Sequence, residues 1–445
     1  MRVLVITVRL RMETPGGVTA PEAADDDNLI PIRTDTRGNP HLPGTTVAGS
    51  LRALWNGLDS NSAKELFGYI GDGEKPTRVP SKIQVQGTRW LPPDSDAAGE
   101  EHAAKPTVGQ LTHRRTAIDR VREGPRIHAL HGVTMLPAGT CFDVVIRWDN
   151  ADPTQRQQFL DLLRTWHPRL GRGTSLDAGR CRVLALGSCD YDLTTPRGLH
   201  DWLRIGAESG LYPDPTDEVT SPTRQVRTYE CRIVDGLHCG AGDESGDANG
   251  QPRINRVVKR GKDYVVPAST LKGVLRSRAE YICHAIRASA CKDQSCGECM
   301  PCNIFGYSPN ANDGSSNGNG SSGRRAKIAI QDAVVRDAER RERQHVAIDR
   351  FTGGARDQLL YTDEVLVKGH FLFQIHELRT LDDHEWLLIQ AVLTDLNDGF
   401  VGIGARTTSG LGTVRVIKPD LDLPENRPDL SSLAHRLAPE AEATP

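Results

Sequence analysis

The chain opens with MRVLVITVRLRM, where apolar residues alternate with polar or basic ones at a period of two, and this predicts a half-buried strand over Arg2–Met12. The period then lengthens. An amphipathic helix is expected after Pro43-Gly44, a strand at KIQVQ, a strand at TCFDVVIRW, a second helix at PTQRQQFLDLLRTW, and a Gly-rich turn into a last strand. From Val226 the same order returns: an alternating strand, a helix after Pro267-Ala268, KIAIQ, GHFLFQIHEL, the helix DDHEWLLIQAVLTDL and another Gly-rich turn. Strand, helix, two strands, helix, strand is the ferredoxin-like βαββαβ order, so the expected fold is α+β with two tandem copies.

The repetition extends to residue level. LPGTTVAGSLRALW matches VPASTLKGVLRSRA, ELFGY matches NIFGY, KIQVQGTRW matches KIAIQDAVV, AIDR at Ala117–Arg120 returns at Ala347–Arg350, and LGRGTSLDAGRCRV matches IGARTTSGLGTVRV. The order is kept while the spacing between copies drifts between 224 and 245 residues, as when loops change length on a constant framework. The expected organisation is a first domain over 1–190, a Pro/Gly/acid-rich linker over 191–224, a second domain over 225–420 and an acidic tail over 421–445. Pro92–Pro106 and Asn310–Arg325 read as mobile loops, because they offer little to bury.

Charge changes the picture only locally. The 445 residues carry a net charge of −3, which does not announce a nucleic-acid binder, but Arg253 to Arg278 holds eight basic residues against one acid. The N-terminal apolar run is too short for a signal peptide or a membrane span, and a cytoplasmic protein is expected.

Two motifs carry chemistry. Cys291, Cys296, Cys299 and Cys302 form C-x4-C-x2-C-x2-C, with His284 seven residues upstream, a spacing suited to one structural zinc held by four thiolates. Only the second copy has these ligands, so one Zn2+ per chain is expected. In STLKGVLR, Ser269, Thr270, Lys272 and Arg276 lie in the first turns of a helix, where free amides and the dipole favour an anion, and Lys272 and Arg276 share a face. Thr45, Thr46 and Arg52 are their first-copy counterparts. The Gly-rich turn around Arg406, Thr407 and Ser409 suits close approach to phosphate, although glycines at such a turn are more often there for geometry alone.

VPASTLKGVLR, CNIFG, HVAIDRFTGGARDQLLYTDEVL and GIGARTTSGLGTV resemble the signature blocks of the RAMP (repeat-associated mysterious protein) superfamily, in particular the backbone subunits of type III CRISPR effector complexes. The resemblance is close over Val226–Ile417 and weaker, though ordered, in the first copy. Two fused units resemble the type III-D variants. It implies binding along a CRISPR RNA, a complementary single-stranded target RNA, and partners among other RAMP subunits and the large polymerase-like subunit. It also implies a β-hairpin thumb opened by AIDR in each unit. Arg120, His345 and Arg350 would then meet RNA, with Ile118 and Ile348 packed beneath, and His284 can stand in for Cys291 as a zinc ligand.

The resemblance further implies a catalytic aspartate in the loop after the first strand. Asp26 and Asp27, in PEAADDDNLIPIRTD, are the candidates. A carboxylate there can position Mg2+ or Mn2+, or the ribose 2′-hydroxyl, for attack on the adjacent phosphate, whereas three aspartates in a row can equally be a solvated loop tip. The expected activity is a metal-dependent endoribonuclease acting on guide-paired RNA; the alternative is a purely architectural RNA-binding subunit. The second copy carries Asn249, Gly250 and Gln251 at the matching place, with Asp247 two residues away, and gathers Arg253, Arg256, Lys259 and Arg260 instead, so cleavage is expected in the first unit alone.

Overall fold

The computed structural model describes the chain except residues 21–28, 58, 72–76, 93–110, 117–130, 205–211, 221–225, 242–252, 292–295, 308–322, 430, 432 and 434–445. The described residues form two compact units, one built from Met1–His113, His131–Thr174 and Ala178–Thr223, the other mainly from Arg224 onward. Both mix helices with largely antiparallel sheet. Among the described residues no helix is long and apolar enough to cross a membrane.

In the first unit, Arg2–Met12 lies between Cys141–Asp149 and Cys181–Asp192, and Ile83–Leu91 pairs with the far side of Cys141–Asp149. Taken in chain order, the framework strands run last, first, third, second across the sheet. Leu4, Ile6, Val8 and Leu10 face a core shared with the helices Gly44–Asn56 and Pro153–Arg164, through Val47, Leu51, Phe159 and Leu163. Val3 and Val5 alternate to the opposite face, which must also be covered.

Part of that cover comes from the stretch expected to be a linker. Pro196–Arg204 is a helix, and Asp217–Glu218 adds an edge strand to Cys181–Asp192. Trp202 packs 5.8 Å from the Tyr191 ring and beneath the Arg147 guanidinium. Two-sided burial of the sheet demanded apolar partners, and the following segment supplies them.

The second unit repeats the strand order with Val414–Lys418, Val226–Ile233, Ala355–Glu377 and Ala333–Ile348. Its helices, Ala268–Ala285 and Asp383–Asn397, bury Leu271, Leu275, Leu388 and Val392 against Phe371, Phe373 and Ile375. A capping box at Asp382 and Glu385 starts the later helix, and Lys327 neutralises the buried Glu385 at 2.7 Å. Leu421 and Leu433 join this core, so the segment expected to be a tail begins as part of the unit.

The strand expected at KIAIQ forms over Ile328–Ile330, and a second strand starts at Ala333. Ile328–Ile330 and Ala333–Ile348 pair with different stretches of Ala355–Glu377, with Gln331 and Asp332 between them. Beyond an irregularity at Arg336–Glu339, the outer strand and its return continue as a hairpin closed by a turn at residues 349–354. Ten residues from Glu339 to Ile348 give this arm a length of roughly 30 Å.

Candidate metal centre and nucleic-acid interface

The four cysteines converge. Their Sγ atoms all lie within 4.8 Å of one another, and Cys291 Sγ is 3.5, 3.5 and 3.3 Å from those of Cys296, Cys299 and Cys302. A tetrahedral zinc with bonds near 2.3 Å requires sulfur separations of about 3.8 Å, so the set can hold one with little adjustment. The Cys296 N–H points at Cys291 Sγ and the Cys299 N–H at Cys296 Sγ, contacts that favour thiolate. Burial pushes the Cys296 thiol up, but the N–H groups of Glu298 and Cys299 outweigh it and bring it to about 7. Gly297 is required here: its φ is +82°, and a Cβ would meet the Tyr307 ring at 2.8 Å. His284 stands outside the ligand set, its Nε2 lying 3.1 Å from the Cys291 carbonyl oxygen and bracing the loop. Cys291 therefore keeps its place in the set.

Arg276 ties this loop to the helix. Nε donates to Glu280 at 2.9 Å, Nη1 to the Gly306 carbonyl at 2.6 Å and Nη2 to Cys302 Sγ at 3.5 Å. Its side chain is 16% exposed. Lys272 is also largely covered, and burial, aided by the charge of Arg276, pushes it down to about 8. Arg276 is thus turned to the metal loop, while Lys272 Nζ donates to Ser175 Oγ at 2.8 Å. Ser269 is exposed and Thr270 half-buried in the first turn. The leading amide is already engaged, since Ala268 N–H donates to Asp332 Oδ1 at 2.8 Å, and Asp332 also pairs with Arg260 at 3.0 Å. The gap between Ile328–Ile330 and Ala333–Ile348 is what delivers this carboxylate.

Across the base of the hairpin, residues from three segments meet. Asp363 is fully buried, with Oδ1 accepting from Asn255 Nδ2 at 2.6 Å. Its Oδ2 lies 3.1 Å from Arg406 Nε and 3.4 Å from His345 Nε2, yet neither contact has hydrogen-bond alignment. The His345 and Tyr361 rings are stacked, with centroids 5.1 Å apart and planes 17° apart, and the Arg406 guanidinium lies 4.9 Å from the Tyr361 centroid. Arg406 adopts φ 65°, a left-handed conformation that costs a non-glycine residue about 1 kcal/mol. On the other side, buried Glu364 accepts from Val257 N–H at 2.8 Å and from Arg340 at 3.1 Å. Arg406 and His345, far apart in sequence, are thus brought together. Tyr361, Asp363 and Asn255 were missed as site residues; alternation along LLYTDEVL places Tyr361 and Asp363 on one face and was the available signal.

The Gly-rich turn is largely explained by packing. A Cβ on Gly404 would lie 2.4 Å from the His238 carbonyl oxygen. The following Thr407–Ser409 turn is exposed, but its Ser409 amide is already bonded to the Arg406 carbonyl at 2.9 Å. In the first unit Thr45 and Arg52 are exposed and Thr46 is half-buried.

The second AIDR forms the hairpin tip. Asp349 Oδ1 accepts from the Phe351 and Thr352 N–H groups, both at 2.9 Å, and Arg350 is exposed. Ile348 does not pack beneath: it is 61% exposed, and Phe351 is 99% exposed, because a two-stranded arm has no second layer to bury them. The first AIDR, with Ile118 and Arg120, lies outside the described residues, as do Asp26, Asp27 and Asp247, most of the two expected loops and residues 434–445 of the tail.

Compared with individual curated proteins, the chain shows no match. The family comparison does find one: residues 230–415, which hold the cysteine cluster, the hairpin and the Arg406 turn, match the RAMP superfamily, and the second unit therefore carries a RAMP superfamily domain.

Proposed function

We propose that the chain is a CRISPR RNA-binding backbone subunit of a type III effector complex, with two ferredoxin-like RAMP units fused as in the type III-D variants. The observation that carries this reading is the family match over residues 230–415. The recurrence of the same last–first–third–second strand order in the first unit supports the fusion. The arm with exposed Arg350 and Phe351 at its tip supports contact with a flexible, charged, base-bearing polymer. Thr45, Arg52, Ser269, Arg350, Thr407 and Ser409 are exposed and available to an RNA backbone. One zinc on the four cysteines is structural in this reading, fixing the loop that leads into Phe305. Other RAMP subunits, the large polymerase-like subunit and a complementary target RNA are the remaining partners.

The cleavage centre belongs to the first unit in this proposal, with Asp26 and Asp27 positioning Mg2+ or Mn2+ beside the scissile phosphate. The test is to assemble the effector complex with the chain carrying Asp26→Ala and Asp27→Ala and to map the products of a complementary RNA. Loss of one product with the others intact supports the assignment. An unchanged product pattern places the chemistry in partner subunits and makes this chain architectural; loss of a further product in Asp247→Ala assigns a second centre to the second unit. Failure of the unaltered chain to bind RNA would overturn the whole reading.

A further inference from the structure

Among the cations and aromatics of the second unit, His345 is held in an unusual way. One edge of its ring is pressed toward the fully buried Asp363, with Nε2 at 3.4 Å from Oδ2 and shielded from solvent. One face lies on Tyr361, and that ring also carries the Arg406 guanidinium at 4.9 Å. Asn255 fixes the Asp363 carboxylate from the other side at 2.6 Å. The His345 side chain nevertheless remains 36% exposed. One edge and one face are thus engaged, and the ring still keeps that exposure.

We propose that His345, backed by Tyr361 and Arg406 and held edge-on by Asp363, is a stacking platform for one unpaired nucleobase of a single-stranded RNA. This rests on the RNA-binding reading above and specifies how one of its residues acts. A phosphate contact through Nε2 is closed off, because that nitrogen is turned to a buried carboxylate. A flat ring held by neighbours on two sides loses little freedom on binding, and every base offers a π-face, so the contact is tolerant of sequence. Arg406, 38% exposed, keeps guanidinium nitrogens beyond the Nε directed at Asp363 and serves the adjacent phosphate. Asp363 is a positioning residue for both.

The experiment measures affinity of the full-length chain for two labelled single strands of equal charge, an RNA of mixed sequence and its wholly abasic counterpart, over a range of salt. His345→Ala is expected to weaken binding of the base-bearing strand about tenfold, to leave the abasic strand unaffected, and to leave the salt dependence unchanged. His345→Phe, which keeps a ring, is expected to retain most of the affinity; thermal melting of both variants checks that each folds. Equal weakening of both strands by His345→Ala, a shallower salt dependence, or a folded His345→Phe as weak as His345→Ala would each overturn the proposal while leaving RNA binding intact. An unaltered chain that binds neither strand overturns the RNA-binding reading and this one with it.

Discussion

The Arg276 guanidinium donates to Cys302 Sγ at 3.5 Å while it also pairs with Glu280, joining a core helix to the cysteine loop through a single side chain. Glu280 is 6% exposed, so removing Arg276 takes a charged partner from a buried carboxylate. Arg276→Ala is expected to cost about 3–5 kcal/mol in urea unfolding, and Arg276→Ala with Glu280→Gln to recover part of it. Additive losses in the double variant would show that the pair is not coupled.

Metal analysis of reduced, purified protein is expected to give about one zinc per chain, as four converging thiolates form a closed tetrahedral set. Cys299→Ala or Cys302→Ala should lower both the zinc content and the melting temperature, because structural zinc binding is folding free energy. His284→Ala should retain the metal, since its ring touches only the Cys291 carbonyl among the loop atoms named above.

Asp349 accepts from Thr352 and Phe351 amides, which hold its carboxyl below the ordinary value of 3.8. A depressed carboxylate stabilises the folded tip fully above its unfolded value, and that contribution disappears as pH falls through the lower folded value. An NMR titration should find the Asp349 midpoint below 3.8, with the Phe351 and Thr352 amides shifting alongside it. Asp349→Ala should loosen the turn with the rest of the unit unchanged.

Two phenylalanines of the same hairpin should behave oppositely. Phe371 is fully buried in the core, and Phe371→Ala is expected to cost about 3–5 kcal/mol. Phe351 is 99% exposed, and Phe351→Ala should change stability by no more than about 0.5 kcal/mol. Denaturation of the two variants side by side checks the contrast.

Alternation and helical spacing made the core framework legible, because each framework strand and helix must bury one continuous apolar stripe: Leu4, Ile6, Val8 and Leu10, or Leu271 and Leu275, could be read as inward-facing from order alone. The cysteine spacing likewise announced its cluster, since ligands within twelve residues of one another need little help from the rest of the fold. The long arm was not legible as strand, because Glu339–Gln344 is charged or polar throughout and leaves no periodicity to read. Nor was the docking of Trp202 from the linker, which follows from the second apolar face of a sheet and not from the linker's own composition. Helical spacing says that Lys272 and Arg276 share a side, not what lies against it, and the contacts that cover them come from packing. The meeting of Asn255, His345, Asp363 and Arg406 was decided by tertiary structure alone, since a parallel strand, a hairpin register and a glycine-bearing turn from separate parts of the chain must all be in place before one buried carboxylate can gather them.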